Sequence, residues 1–93
     1  MRLKDFEQNA IRSVVQGMDC DARIYLFGSR ADDTKKGGDI DLLIMTGRLT
    51  ADDKRHIKIR LHELIGEQKI DIVLAKDDTE PFIKLALATG VQL

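Results

Sequence analysis

The sequence contains little of several residue types that would point to particular classes of protein. A single cysteine, Cys20, rules out a disulfide within the chain, which is typical of a reducing compartment. There is no tryptophan, one tyrosine and one proline. No apolar run reaches the length of about 18 residues that a membrane helix needs, and no secretory signal segment is visible. We therefore expect a cytoplasmic protein that does not enter a membrane.

The chain also lacks an excess of charge of either sign. Fifteen basic and sixteen acidic residues give a formal net charge of -1. Proteins that grip nucleic acid through many phosphates usually carry a basic excess, so we expect no direct DNA binding. A single nucleotide is not excluded, because a metal ion and a few backbone amides can meet its charge. The length of 93 residues allows one domain, 1–93, with one modest core.

Apolar periodicity predicts an α/β (α+β) fold with a three-stranded mixed sheet covered by about three to four helices. Strands are expected over 22–27, 40–45 and 69–75, and a helical turn followed by a polar loop over 29–38. The first helix is predicted to end near Gly17 and to bury residues at helical spacing: Leu3, Phe6, Ala10, Val14 and Met18.

Two further helices carry recognisable start and stop signals. Thr50 is the predicted N-cap of the second helix and Gly66 its end, with an inner stripe of Ile57, Leu61, Leu64 and Ile65. Thr79 is the predicted cap of the third helix, followed by Pro81 and ended by Gly90, with an inner stripe of Phe82, Leu85, Ala86 and Thr89. The apolar residues Leu87, Val91 and Leu93 form either an interface strip or a frayed tail.

Acidic residues interrupt two of the predicted strands. Asp39 and Asp41 are two positions apart and so project to the same face, while Ile40 and Leu42 face the core. Two like charges held this close repel each other, and a divalent cation such as Mg²⁺ removes the conflict. Asp71 interrupts the last strand in the same way. If that strand lies beside the second, all three carboxylates converge and could share two ions about 4 Å apart.

A Gly-Ser pair precedes the acids. Gly28 permits close approach of the backbone to a phosphate, and Ser29 offers a hydroxyl and an amide at the start of a helical turn. Arg30 could add positive charge beside a triphosphate. Lys35 and Lys36 fit a solvated loop, with phosphate contact as the alternative. The alternative for the three aspartates is a solvated sheet face whose acids are incidental.

The spacing of these motifs resembles the nucleotidyltransferase superfamily that includes DNA polymerase beta. Gly28-Ser29, a nine-residue spacer, Asp39-Ile40-Asp41 and the strand residue Asp71 follow its pattern. Nearly the whole chain is similar to the minimal nucleotidyltransferases (MNT) of bacteria and archaea, and residues 81–91 look like their C-terminal helix.

The resemblance implies the chemistry of nucleotidyl transfer. Asp39 and Asp41 would bind both Mg²⁺ ions, and Asp71 would bind the catalytic one and help deprotonate the attacking hydroxyl. Gly28 and Ser29 would hold the β- and γ-phosphates. The reaction implied is transfer of AMP from ATP to a hydroxyl, with release of pyrophosphate.

The resemblance also implies a partner. Family members of this size resemble antitoxins that are paired with a helical HEPN-type toxin. Such antitoxins silence the toxin by adenylylating it. Two alternatives are a non-catalytic antitoxin that masks the toxin by binding, and a catalytic subunit for a small, antibiotic-like acceptor. The sequence itself also supports the need for a partner, because three short strands provide little surface to enclose a pocket for the acceptor.

Overall fold

The structure, a computed structural model, describes residues 1–32 and 38–93. The expectations for Lys35 and Lys36 lie outside these residues. Within the described part, three helices and four strands follow one another with a short 3₁₀ turn: α1 (Asp5–Met18), β1 (Arg23–Phe27), the turn Gly28–Ala31, β2 (Ile40–Met45), α2 (Ala51–Ile65), β3 (Ile70–Ala75), α3 (Pro81–Thr89) and β4 (Val91–Gln92). The helical turn expected after residue 28 corresponds to Gly28–Ala31.

The strands form one mixed sheet in the order β3-β2-β1-β4. The pairs β1–β2 and β1–β4 are antiparallel, and β2–β3 is parallel, with α2 as the crossover between them. The α+β class and the mixed sheet predicted from the sequence are confirmed. The sheet has one strand more than expected, because the tail after α3 adds β4.

The main core lies between the sheet and the helices α1 and α2. Its members are apolar side chains that alternate along the strands and recur at helical spacing, among them Ile11, Val15, Ile24, Leu26, Ile40, Leu42, Ile57, Leu61, Ile70 and Ile72. A smaller core on the opposite face joins α3 to the sheet through Leu43, Met45, Ile83 and Ala86. Helices therefore pack on both faces of the sheet, and the second face is covered except in parts.

Helix α1 is rotated relative to the predicted stripe. The buried residues are Glu7, Ile11 and Val15, whereas Phe6 is 53% exposed. The predicted inner position of Phe6 is wrong, because the side chain of Glu7 accepts a hydrogen bond from the Lys4 backbone N–H at 3.0 Å and turns inward. Burial of a carboxylate at that position has no signal in apolar periodicity.

Helix α2 begins as predicted. Thr50 Oγ1 accepts from the Asp53 N–H at 3.3 Å, and Asp53 Oδ2 accepts from the Thr50 N–H at 2.8 Å, so the two residues form a capping box. The helix ends at Ile65, before Gly66. Ile57, Leu61 and Ile65 are buried, but Leu64 lies outside the stripe and is 47% exposed.

Helix α3 differs from expectation in its N-cap and in the residues that face the sheet. Glu80 is its N-cap and Pro81 its first residue, while Thr79 donates its N–H and hydroxyl to Asp77 Oδ1 at 3.1 and 2.8 Å. Ile83 and Ala86 are the residues that pack on the sheet. The predicted inner positions of Phe82 and Leu85 are wrong, since these side chains are 50% and 62% exposed.

The C-terminal tail is part of the sheet. Val91 and Gln92 pair with Leu26 and Tyr25 of β1, and the Leu93 N–H donates to the Ile24 carbonyl at 2.9 Å. The tail is therefore not frayed. Among residues 1–32 and 38–93, no helix combines the length and the apolar character required to cross a membrane.

Candidate active site

The parallel pairing of β2 and β3 places two acids side by side. In this register Asp41 is the Cα partner of Asp71. Their neighbours Ile40, Leu42 and Ile70 are buried in the main core, so alternation along the strands directs both carboxylates to the other face. Both side chains are half-buried, near the N-terminal ends of their strands. Nothing in the core requires two acids at adjacent positions.

The electrostatics of this pair are unfavourable in the absence of a cation. Burial raises the pKa of the Asp41 carboxyl, and the charges of Asp71 and Asp39 raise it further, while Lys69 opposes the rise. A divalent cation relieves this conflict, since carboxylate oxygens are its preferred ligands. The donor chemistry of Asp41 and Asp71 therefore fits a hard metal ion.

Asp39 lies just before β2 and faces a lysine. Its Oδ2 atom is 3.3 Å from Lys69 Nζ in an exposed ion pair. The contact with Asp39 raises the pKa of the Lys69 ammonium group, and the charges of Asp71 and Asp41 add to the effect. In the described parts of the chain, no group of three His, Cys, Asp or Glu side chains is arranged to hold a metal. Two of the three predicted ligands are thus adjacent, and the third is paired with Lys69.

The turn after β1 packs directly on one of the acids. Gly28 has φ +75°, and a Cβ atom at this position would collide with the Asp41 carboxylate. Gly38 has φ +109°, and a Cβ atom there would collide with Ser29 Oγ. Both glycines therefore combine a left-handed backbone with a close approach, which only glycine accommodates. As a result the Asp41 carboxylate packs closely against Gly28, and the Ser29 hydroxyl packs closely against Gly38.

Arg30 is placed by hydrogen bonds within the protein. Its Nε–H donates to the Gly38 carbonyl at 3.2 Å, and Nη1 donates to the Arg2 carbonyl at 3.4 Å. Nη2 donates to Gln68 Oε1 at 3.1 Å. A guanidinium group has five N–H donors, so these contacts leave donors available for an anion.

The sequence reasoning missed Lys69, Gln68 and Arg2, all of which contact predicted site residues. Lys69 sits two positions before Asp71, so the charge pattern before β3 could have indicated it. The Arg2 guanidinium donates to the Ser29 carbonyl at 3.1 Å, and the Arg2 N–H donates to the Arg30 carbonyl at 2.8 Å. These contacts have no sequence signal, because they join segments that are distant along the chain.

Comparison with known proteins is consistent with this geometry. The family model described as polymerase beta, nucleotidyltransferase matches residues 9–93. The chain belongs to the polymerase beta nucleotidyltransferase family. A search of curated proteins gives no match. Family membership makes the chain a nucleotidyltransferase in the general sense.

Proposed function

We propose that the protein is a Mg²⁺-dependent nucleotidyltransferase that transfers AMP from ATP to a hydroxyl of a partner protein. The observation that carries the proposal is the pairing of Asp41 with Asp71 directly beside the Gly28 turn. A pair of adjacent carboxylates is costly for the fold but is the donor set needed to hold magnesium beside a triphosphate.

Each predicted residue has a role in this proposal. Asp41 and Asp39 would hold the two Mg²⁺ ions, and Asp71 would hold the catalytic ion and help to remove the proton of the attacking hydroxyl. The bound ions supply Lewis acidity and neutralise charge on the transferred phosphoryl group. The backbone at Gly28 and the hydroxyl and amide of Ser29 bind the β- and γ-phosphates.

The role of Arg30 follows from its remaining donors. It contributes positive charge to the triphosphate while its other N–H groups hold the turn in place. Asp39 changes partner in this scheme, leaving Lys69 when the nucleotide and metal bind. The exposed ion pair between them allows the exchange, because such pairs contribute little to stability.

The acceptor in this proposal is a macromolecule. A groove of about 320 Å³ between β3 and α3 is lined by residues that include Val73, Ala75 and Phe82, and by alternation Val73 and Ala75 lie on the same face of β3 as Asp71. Phe82 and Leu85 are exposed, and their i, i+3 spacing makes them neighbours on α3. The groove is also lined by the charged residues Lys76, Asp77 and Glu80, so it is a mixed apolar and polar surface, which suits a partner protein. The resemblance to minimal nucleotidyltransferases supports a HEPN-type toxin as that partner, in the cytoplasm.

One observation favours a second candidate function. Asp39 pairs with Lys69, and no three-acid group is formed in the described residues. A non-catalytic antitoxin that binds and masks the toxin would need no metal and could keep this ion pair. The same exposed apolar surface of α3 would serve such a protein.

Incubating the protein with labelled ATP, Mg²⁺ and the protein encoded by the neighbouring gene distinguishes the candidate functions. Label on the neighbour that is lost in Asp41→Asn and kept in Asp78→Asn supports the enzyme. Asp78 is an exposed aspartate and makes the matched control. Tight binding of the neighbour without label supports the non-catalytic antitoxin, and label on a small molecule would instead indicate an antibiotic-like acceptor. If neither protein nor small molecule is labelled and no complex forms, the partner proposal is wrong.

A further inference from the structure

A chain of three side chains joins helix α1 to the turn that carries Gly28 and Ser29. Gln68, in the loop between α2 and β3, donates from Nε2 to Glu7 Oε2 at 2.8 Å. The Oε1 atom of Gln68 accepts from Arg30 Nη2 at 3.1 Å. The same Nε2 group also donates to the Ile65 carbonyl at 3.1 Å. Gln68 is therefore hydrogen-bonded at both ends of its amide.

The orientation of the amide is fixed by chemistry. An ionised carboxylate only accepts hydrogen bonds, and a guanidinium group only donates them. Gln68 must therefore present its NH₂ group to Glu7 and its oxygen to Arg30. If the amide were flipped, its oxygen would face the Glu7 carboxylate and its NH₂ group would face the Arg30 guanidinium. Neither pair could form a hydrogen bond, so two partly buried polar groups would be left unpaired.

The Glu7 carboxylate is held in place and fixes one end of this hydrogen-bonded series of side chains. Its side chain is only 4% exposed, and its other oxygen accepts from the Lys4 N–H at 3.0 Å. Burial raises the pKa of Glu7, but the hydrogen bonds from Gln68 and Lys4 and the charges of Arg30 and Lys4 outweigh it, and the net pKa is lowered. The carboxylate is therefore ionised at neutral pH and accepts from both donors.

Arg30 connects Gln68 to the backbone of the candidate site. Its Nε–H holds Gly38, which has the left-handed backbone that accommodates the Ser29 hydroxyl. Its Nη1 group holds the Arg2 carbonyl, while Arg2 in turn donates to Ser29 and Arg30. The guanidinium thus holds Gly38 directly and is joined to the Ser29 carbonyl through Arg2.

We propose that Gln68 is a positioning residue for the nucleotide-binding turn: anchored by Glu7, it holds Arg30 so that Gly38, Ser29 and Gly28 keep their places beside Asp41. The inference rests on the proposed function, because it takes this turn to be the phosphate site. Gln68 does not touch the nucleotide in this scheme and acts through Arg30.

Exchanging the two side chains provides the test. In Gln68→Glu the new carboxylate still accepts from Arg30 but repels Glu7, so the anchor is lost. In Glu7→Gln/Gln68→Glu the amide at position 7 donates to the carboxylate at position 68, which again accepts from Arg30. The exposed pair Gln16→Glu/Glu67→Gln makes the same exchange outside the network and is the matched control.

Two readouts are measured on each variant. The first is the position of the Gly28, Ser29 and Gly38 amide signals in NMR spectra of isotope-labelled protein without nucleotide. The second is the affinity for ATP in the presence of Mg²⁺ by titration calorimetry. We expect Gln68→Glu to displace the three signals and to weaken ATP binding by about 10-fold, the scale seen when a residue supporting a ligand group is lost. The exchanged pair should return both readouts most of the way to wild-type values, since only the hydrogen bond from position 68 to the Ile65 carbonyl is not restored, and the control should leave them unchanged.

The inference is overturned if folded Gln68→Glu keeps the wild-type amide signals and ATP affinity, or if the exchanged pair regains its melting temperature but not the signals. Should Gln68→Glu fail to fold, Arg30→Lys replaces it, since lysine keeps the charge but cannot serve the Gly38, Arg2 and Gln68 oxygens together. Wild-type signals in Arg30→Lys would then refute the inference. If the wild-type protein does not bind ATP, the proposed function fails, and the amide signals still decide whether Gln68 positions the turn.

Discussion

Asp71 lies directly opposite Asp41 in the parallel register of β2 and β3, so the fold holds two like charges at adjacent positions. Burial raises the pKa of the Asp41 carboxyl, and the charges of Asp71 and Asp39 raise it further, so the charged form is destabilised in the folded protein. A protein under no functional constraint would gain stability by neutralising one of the pair. The cost falls on the two residues that we propose as metal ligands, and such costs are common at active sites.

Asp41→Asn should therefore stabilise the metal-free protein while removing its response to magnesium. Because the folded pKa of Asp41 lies above the ordinary 3.8, the penalty is absent at low pH and is fully present above the folded pKa. We expect a gain of roughly 4 °C in melting temperature at neutral pH, the scale of about 1 kcal/mol for a domain of this size. Thermal unfolding with and without Mg²⁺, at pH 3 and pH 7, checks both parts. A loss of stability at pH 7 would contradict the argument.

Gly28→Ala should disrupt the site. The backbone at Gly28 is left-handed, and the added methyl group would collide with the Asp41 carboxylate. We expect a loss of about 1–3 kcal/mol in stability, with loss of ATP binding. The control is Gly17→Ala near the end of α1, where a Cβ meets nothing within 4 Å. That change should stabilise by roughly 0.5–1 kcal/mol through helix propensity. Urea unfolding and calorimetry measure the two effects, and equal responses would refute the steric argument.

Lys69→Met should tighten metal binding in the absence of nucleotide. Lys69 occupies Asp39 as its counterion, so its removal frees a carboxylate for a divalent cation. We expect Mn²⁺ affinity to rise by a factor of about 3, as suits the modest strength of an exposed ion pair. Titration calorimetry with Mn²⁺ measures this, with Lys84→Met on the exposed side of α3 as control. Weaker Mn²⁺ binding in Lys69→Met would show that the lysine does not compete with the ion.

Glu7→Gln should destabilise the protein at neutral pH but not at acidic pH. The folded pKa of Glu7 is below the ordinary 4.5, so its contribution is fully present above 4.5 and is lost as the pH falls through the folded value. The charged groups facing it are those of Arg30 and Lys4. We expect a loss of roughly 1–2 kcal/mol at pH 7, the scale of a hydrogen bond to a charged group. Urea unfolding over a series from pH 7 down to pH 3 measures the difference, which should shrink as the pH falls below 4.5.

Leu85→Ser should weaken partner binding without affecting ATP affinity. Leu85 is 62% exposed on α3, beside Phe82, whose ring packs edge-on against Phe27 at a centroid distance of 5.7 Å. A comparable change at Leu64, which is 47% exposed on α2, is the control. We expect at least about a 10-fold loss of affinity for the partner, the scale of a buried apolar contact at an interface. Equal effects of Leu85→Ser and Leu64→Ser would place the interface elsewhere.

The fold was largely predictable because its strands and α2 follow simple patterns. Ile40 and Leu42 alternate with Asp41, and Thr50 with Asp53 gives a capping signal that requires no tertiary information. The errors arose where tertiary contacts override periodicity. Glu7 replaces Phe6 at the buried position of α1 because a carboxylate finds partners in Lys4 and Gln68. Phe82 and Leu85 remain exposed because Ile83 and Ala86 fill the contact with the sheet.

The candidate site was predictable in its residue types but not in its arrangement. Strand alternation places Asp41 and Asp71 on one face, and a parallel neighbour then brings them together. The pairing of Asp39 with Lys69 and the contact of Ser29 with Gly38 depend on loops whose geometry no local pattern specifies. Gln68 has no sequence signal at all, since its partners Glu7 and Arg30 are 61 and 38 positions away.

The crossover through α2 has a consequence for the order of folding. β1 and β2 are consecutive strands along the chain, whereas α2 lies between β2 and β3, so the pairing of β2 with β3 closes a longer loop. Contacts between distant segments carry a loop-closure cost and form slowly. We therefore expect the pairing of β2 with β3, and with it the repulsion between the two strand aspartates, to form after the pairing of β1 with β2. We expect neutralising either one to accelerate the final docking step and to leave hairpin formation between β1 and β2 unchanged.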